Sequence, residues 1–185
     1  MSRIIAGEFG GRRLRVPAQG TRPTSDRARE ALFSRLEHLG ALDGARVLDL
    51  YAGSGALGLE ALSRGAREVV MVESARPAAA VCHANARTLG VADRVQVITV
   101  PVERYLGRSA PAAGFDLVLA DPPYDVVDLD GVLEALARDW LAARAVVVLE
   151  RGARAADVDW PPPLTPMDVR RYGDSVLWFA DTGSD

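Results

Sequence analysis

The sequence predicts an α/β fold: a mostly parallel sheet covered by helices on both faces. Three observations predict it. The apolar run Val47-Leu48-Asp49-Leu50 ends in the glycine-rich turn Tyr51-Ala52-Gly53-Ser54-Gly55, and a helical pattern (Leu57, Glu60, Ala61, Leu62) follows at once. From Arg46 onward, short continuous apolar runs alternate with helical patterns, as strands buried on both faces require. The chain then closes with two runs separated by Tyr172-Gly173-Asp174-Ser175, the pattern of an antiparallel hairpin.

Taken in order, residues 3–16 mix short apolar pairs with Gly7, Gly10 and Gly11 and read as a small hairpin turning at Phe9-Gly10-Gly11-Arg12. Thr24 and Ser25 are natural helix caps. Ala28, Ala31, Leu32, Leu36 and Leu39 recur at helical spacing, which predicts a helix over 24–39 stopped by Gly40. Beyond the first strand and turn, the patterns predict a helix over 56–64, a strand over 68–72 and a helix over about 75–89. A strand over 95–98, a short helix near 102–106, a strand over 115–120, a helix over about 127–139 and a strand over 145–149 complete the alternation. The final runs lie around 169–171 and 176–180. Two parts are expected: a basic hairpin and helix over 1–44, and the α/β domain over 45–185.

Composition narrows the class. A hydrophobic content of 49% with 25% charged residues is that of a globular protein with a real core. No apolar run approaches the roughly 18 residues of a membrane span, and the leading residues lack the apolar stretch of a signal peptide. A single cysteine, Cys82, excludes an internal disulfide framework, so a reducing cytoplasm is expected. With two histidines, His38 and His83, it cannot make a conventional zinc site, and no metal is expected.

All 22 basic residues are arginine. Residues 1–35 hold eight of them against three acids, a balance of +5, while the remainder carries 14 against 22, or −8. A basic leading segment on an acidic protein points to a polyanion met by that segment. The arginines of the hairpin and first helix are read as phosphate-docking, the alternative being a solvated helix face.

The glycine turn matches Gly53-x-Gly55-x-x-Gly58, a spacing that lets the chain bend sharply and a ligand approach the backbone. A bare turn, a dinucleotide site and an S-adenosylmethionine site all fit it. Asp49, inside the strand, favours the last, because a carboxylate beside the turn can hold an ammonium group; otherwise it caps the turn. Glu73 closes the next apolar run, where an acid can bind ribose hydroxyls.

The fourth strand of the domain ends in Asp121-Pro122-Pro123-Tyr124. In a parallel sheet, ligands sit beyond the C-terminal strand ends where strand order reverses, so this stretch is expected to face the glycine turn. Paired prolines fix φ and lack an N–H, leaving a stiff loop with carbonyls able to accept. Cys82 falls within a helical pattern and is expected to be a buried small hydrophobe rather than a nucleophile. His83 is expected at the surface.

Asp121-Pro122-Pro123-Tyr124 resembles the catalytic loop of the amino-group methyltransferases that use S-adenosylmethionine. The stretch Thr21-Arg22-Pro23-Thr24-Ser25-Asp26-Arg27-Ala28-Arg29-Glu30, with Arg3-Ile4-Ile5-Ala6-Gly7 and Tyr172-Gly173-Asp174, is similar to the family that methylates guanine N2 of small-subunit (16S) ribosomal RNA. The resemblance spans nearly the whole chain. It implies a Rossmann-like class I methyltransferase fold: a mostly parallel seven-stranded sheet with a C-terminal antiparallel hairpin and a small N-terminal hairpin–helix extension. It implies S-adenosylmethionine as cofactor, held by Asp49 and by the main chain of Tyr51, Ala52, Gly53, Ser54 and Gly55. Glu73 would take the ribose, and the adenine would lie near Ser74 and Val102. Many relatives place an acid after the third strand for the adenine amino group; Pro101 stands there in this chain, leaving Glu103 or backbone and apolar contact.

The catalytic residues implied are Asp121 and the Pro122 carbonyl, accepting the two amino N–H groups, and Tyr124, stacking on the base. The RNA-docking residues expected are Arg3, Arg12, Arg13, Arg15, Arg22, Thr24 and Arg29. The partner is 16S rRNA or the assembling small subunit, with no membrane involved and the chain acting as a monomer. Two other readings remain at this point: a DNA adenine-N6 methyltransferase using the same loop, and a non-catalytic RNA-binding protein of the same fold.

Overall fold

Alternation along each strand decides how this chain layers. The computed structural model describes residues 2–17, 26–123 and 129–183. Strands β3 (Arg46–Leu50), β4 (Glu68–Val72), β5 (Val95–Ile98), β6 (Phe115–Ala120), β7 (Leu141–Gly152), β8 (Thr165–Tyr172) and β9 (Ser175–Asp181) form one seven-stranded sheet. Its order is β5-β4-β3-β6-β7-β9-β8. The first five strands run parallel, and β9 and β8 add antiparallel. Strand order reverses between β3 and β6, where Leu50 is level with Ala120.

Successive side chains of a strand point to opposite faces. Val47, Val69, Met71, Leu117, Leu119, Val146 and Val148 enter one core. Leu48, Leu50, Val70, Val72, Val118, Ala120, Val147 and Leu149 enter the other. Helices α2 (Ala56–Ser63) and α3 (Arg76–Leu89) cover the first face, together with α1 (Asp26–His38). Helices α4 (Val102–Leu106) and α5 (Leu129–Ala135) cover the second.

Two elements depart from the pattern read off the sequence. The expected helix over 127–139 is α5 followed by a widened π-type turn at Leu136–Trp140; residues 127 and 128 lie outside the described residues. That turn buries Trp140, whose indole N–H donates to the Leu106 carbonyl at 3.2 Å. The expected strand over 145–149 extends to twelve residues, because β6 pairs with its start at Leu141 and β9 pairs with it as far as Gly152. No helix among the described residues is long and apolar enough to cross a membrane.

The leading segment is a hairpin of two short strands, β1 (Ser2–Arg3) and β2 (Arg13–Leu14). Its Ile4, Phe9 and Leu14, with Leu32, Phe33 and Leu36 of α1, join the same core as Val47 and Leu59. Polar atoms fix it there. Glu60, fully buried on α2, accepts the Ile5 and Ala6 N–H groups at 2.7 and 3.0 Å and the Arg64 Nε–H at 2.8 Å. The Arg64 side chain is itself 2% exposed and also meets Glu30 and Glu37 of α1. Gly7 has φ +81°, and a Cβ there would lie 1.9 Å from the Ser63 carbonyl oxygen, so only glycine allows this approach.

Removing one member of a buried, hydrogen-bonded ion network strands the others. Glu60→Ala should therefore lower unfolding free energy by about 3–5 kcal/mol in urea titration. It should also open residues 2–17 to proteolysis before global unfolding.

Candidate active site

The chain leaves β3 through a turn with a strained backbone. Tyr51 has φ 60°, a left-handed conformation rare in residues with a Cβ, and Gly53 and Gly55 follow at φ 56° and 76°. The turn is held to the next strand: the Ala52 N–H donates to Val72 O at 3.0 Å and the Gly53 N–H to Glu73 Oε2 at 2.8 Å. Gly55 caps α2. Gly58 serves packing, since a Cβ there would meet Val69, Met71 and Asp49 at 2.8–3.0 Å. Cys82 is buried as expected and donates its S–H to the Gly53 carbonyl at 3.2 Å; burial pushes the thiol's pKa up. His83 is exposed.

Four acids lie towards the C-terminal edge of the sheet. Asp49 shares the strand parity of Val47, Glu73 that of Val69 and Met71, Asp121 that of Leu117 and Leu119, and Glu150 that of Val146 and Val148. All four therefore belong to the α2–α3 face. Register pairs Leu50 with Val72 and Ala120, and Ala120 with Leu149, so Glu73, Asp121 and Glu150 sit one step beyond adjacent strand positions. Asp49 is 1% exposed and accepts the Gly58 N–H at 2.9 Å. Burial, with the Glu73 charge adding to it, outweighs that hydrogen bond and pushes its pKa up to about 7. Burial also dominates at Asp121, and the Glu150 and Asp49 charges add to it, pushing the pKa up to about 8.

Among the described residues, no arginine is ion-paired to Asp49, Glu73 or Asp121. Nor is any group of His, Cys, Asp or Glu there placed to hold a metal ion. These separated acceptors suit a ligand bearing a positive charge and hydroxyl groups. S-adenosylmethionine, with its sulfonium, ammonium and ribose, has that chemistry. Glu73 Oε1 also accepts the Ala75 N–H at 2.7 Å, which orients the carboxylate on the turn. Ser74 is exposed beside it. Val102 buries its side chain in the second core, so any adenine contact would fall mainly on its main chain. Pro101 caps α4, and Glu103 is exposed in its first turn. Pro122 is half-buried beside Asp121, whereas Tyr124 lies outside the described residues.

The arginines of the leading segment divide. Arg12, Arg13 and Arg15 are exposed, and Arg12 reaches the Thr88 carbonyl of α3 at 2.7 Å. Arg3 is exposed and paired with Asp26 at 3.0 Å. Arg22 and Thr24 lie outside the described residues. Arg29 corrects the expectation. It is 2% exposed, donating to the Ser2 hydroxyl, the Arg3 carbonyl and Asp26, and so ties the hairpin to α1 instead of facing RNA. Its spacing gave the warning, because Arg29 follows Ala28 and precedes Leu32 on the apolar side of α1.

Two further buried polar residues carry little signal in the sequence. Glu150 reads as the polar end of an apolar run, and only pairing of β7 with β9 shows it buried near Asp121. Asn85 stands on the buried stripe of α3, among Cys82, Ala86 and Leu89. A polar residue on such a stripe is a detectable signal.

A family model described as Conserved hypothetical protein 95 matches residues 2–181. The chain is 37% identical over 150 residues to the ribosomal RNA small subunit methyltransferase D of Escherichia coli, covering 80% of this chain and 73% of that one. It is 35% identical over 151 residues to the protein of the same name from Haemophilus influenzae, covering 80% and 77%. Its fold is similar to the solved structure described as "Putative methyltransferase yhhF from Escherichia coli", with a TM-score of 0.84, 32% identity and 97% of each chain covered. The class I methyltransferase fold implied by the resemblance is the fold observed. Matched over almost its full length, the chain belongs to the Conserved hypothetical protein 95 family, the one that includes the small-subunit methyltransferase D proteins.

Proposed function

We propose that this protein transfers a methyl group from S-adenosylmethionine to the exocyclic N2 of a guanine in 16S rRNA. One observation carries the reading: Asp121 follows Ala120, which is level with Leu50 where strand order reverses, and the Asp49 charge acts on its carboxyl. The names of the relatives and the leading segment support the choice of substrate, and the Asp-Pro-Pro-Tyr stretch supports transfer to an amino group.

When bound, the cofactor supplies an electrophilic methyl group. The protein supplies position and polarity. The guanine amino nitrogen is a weak nucleophile because its lone pair is delocalised into the ring. Accepting both of its N–H groups, at the Asp121 carboxylate and the Pro122 carbonyl, draws the nitrogen towards a tetrahedral shape with the lone pair free to attack. The proton on the alkylated nitrogen is acidic and can leave to water or to an Asp121 carboxylate oxygen, so no general base is obligatory. A base stacked in a helix could not reach this edge, so the nucleotide is splayed or flipped, with Tyr124 stacking on it. Arg12, Arg13 and Arg15 hold phosphates beside the turn.

Asp121→Ala should reduce single-turnover methylation of a 16S rRNA transcript by roughly 100-fold or more, while the Kd for S-adenosylhomocysteine changes little. Equal losses in both would refute the catalytic role, and mass spectrometry of the product reports whether guanine N2 carries the methyl. The double variant Arg13→Ala/Arg15→Ala should weaken RNA binding and reduce the slope of log K against log salt by about 1 for each phosphate no longer neutralised. Cofactor affinity should be spared.

Because the pKa of Asp49 lies above its unfolded value of 3.8, its neutral carboxyl stabilises the fold fully below about pH 4. That contribution is lost as pH rises through about 7. Asp49→Asn, which keeps an acceptor for the Gly58 N–H, should raise the melting temperature of the ligand-free protein at pH 8 and leave it nearly unchanged at pH 4. A cationic ligand favours the ionised carboxylates, so wild-type affinity for S-adenosylmethionine should rise between pH 6 and 8. Calorimetry in buffers of different ionisation enthalpy should register proton release on binding.

A further inference from the structure

We propose that Asn85 is a positioning residue that couples RNA docking to cofactor binding, so that each ligand tightens the other. The inference rests on the proposed function, since it takes the glycine turn to hold the cofactor and the strand after the hairpin to face RNA. Asn85 is 1% exposed on α3. Its Oδ1 accepts the Arg15 N–H at 2.9 Å, and its Nδ2 donates to the Arg15 carbonyl at 3.0 Å and the Ser54 carbonyl at 2.9 Å. Both amide hydrogens are thus used. The two carbonyls and the one N–H fix the amide's orientation, because the flipped side chain would set oxygen against oxygen.

The pair with Arg15 imitates a piece of antiparallel ladder. Strand β2 stops at Leu14, so the main chain of the next arginine is placed by a side chain of α3 and not by a strand partner. The third bond ends on the turn that carries the cofactor residues. One helical turn earlier, Cys82 fixes the neighbouring Gly53 carbonyl, and near the end of α3 the Thr88 carbonyl receives Arg12. Helix α3 is therefore one rigid rail with the basic strand on its flank and the cofactor turn on its buried face. Ordering either segment presents Asn85 to the other already aligned, and the second ligand then orders less. Linkage makes the effect reciprocal.

The test measures the Kd of S-adenosylhomocysteine by calorimetry with and without a saturating 16S rRNA transcript. For the wild type, RNA should tighten the nucleoside by about fivefold or more. In Asn85→Ala this ratio should fall to near one. In Arg15→Ala, which removes charge but leaves the main-chain bonds, RNA should bind more weakly with the ratio kept. If Asn85→Ala fails to fold, Asn85→Asp gives the same reading, because it keeps the acceptor for the Arg15 N–H and loses both donor bonds. A purely structural Asn85 would lower the melting temperature and both affinities while preserving the ratio, and that overturns the inference. So does a wild type that binds both ligands with no coupling, which leaves the proposed function standing. A wild type that binds neither ligand overturns the proposed function, and this inference with it.

Discussion

The parity of a β-strand is the constraint behind the site. Side chains two residues apart share a face, and parallel neighbours in fixed register bring equivalent positions side by side. The apolar residues of β3, β4, β6 and β7 are committed to one core or the other, and the acids at or beyond their ends then have no choice of face. Asp49, Glu73, Asp121 and Glu150 are delivered to the α2–α3 side by the same alternation that fills the core. A slip of one residue in β6 would turn Asp121 to the opposite face and bury Val118 and Ala120 on the wrong side. Folding energy and site geometry are thus enforced by one register.

The same side of the sheet receives the leading segment, and polar atoms set its position more sharply than apolar contact could. Glu60 reads two successive N–H groups of residues 5 and 6, Ser63 takes the Phe9 N–H at 3.0 Å, and Asn85 reads both main-chain groups of Arg15. Such contacts are directional, and a hydrophobic face alone would tolerate sliding. The arginines that follow the hairpin turn are held at a defined place relative to the turn after β3. For an enzyme acting on one nucleotide of a large RNA, a fixed offset between phosphate contacts and the reacting edge decides which base can arrive.

Much of this was legible in the sequence, and the reasons differ by residue. The strand–turn–helix over 46–63 could be read because apolar run, glycines and helical spacing all agree locally. The switch point between β3 and β6 followed from the topology of alternating strands and helices. Arg29 could not be judged by charge, since its partners are the Ser2 hydroxyl, the Arg3 carbonyl and Asp26, of which two lie far back in the chain. Glu150 needed the antiparallel return of β9, a contact across more than twenty residues. The position of Asn85 hinted at burial, but its three bonds reach 31 and 70 residues away, beyond any local pattern.

Departures from local rules are informative when they coincide. Tyr51 holds a backbone conformation that glycine would adopt more readily, and the carboxyls of the buried Asp49 and the half-buried Asp121 sit where water would serve them better. The first is a cost in backbone energy and the second in solvation, and neither requires the other. The buried charge of Arg64, by contrast, is met by Glu30, Glu37 and Glu60. Two independent kinds of strain gathered at the C-terminal ends of β3 and β6 are hard to explain by folding alone. A ligand that contacts the bent backbone and neutralises the acids relieves the electrostatic strain and makes use of the backbone conformation at one place. The cationic cofactor proposed above would meet both costs at one place, the turn after β3.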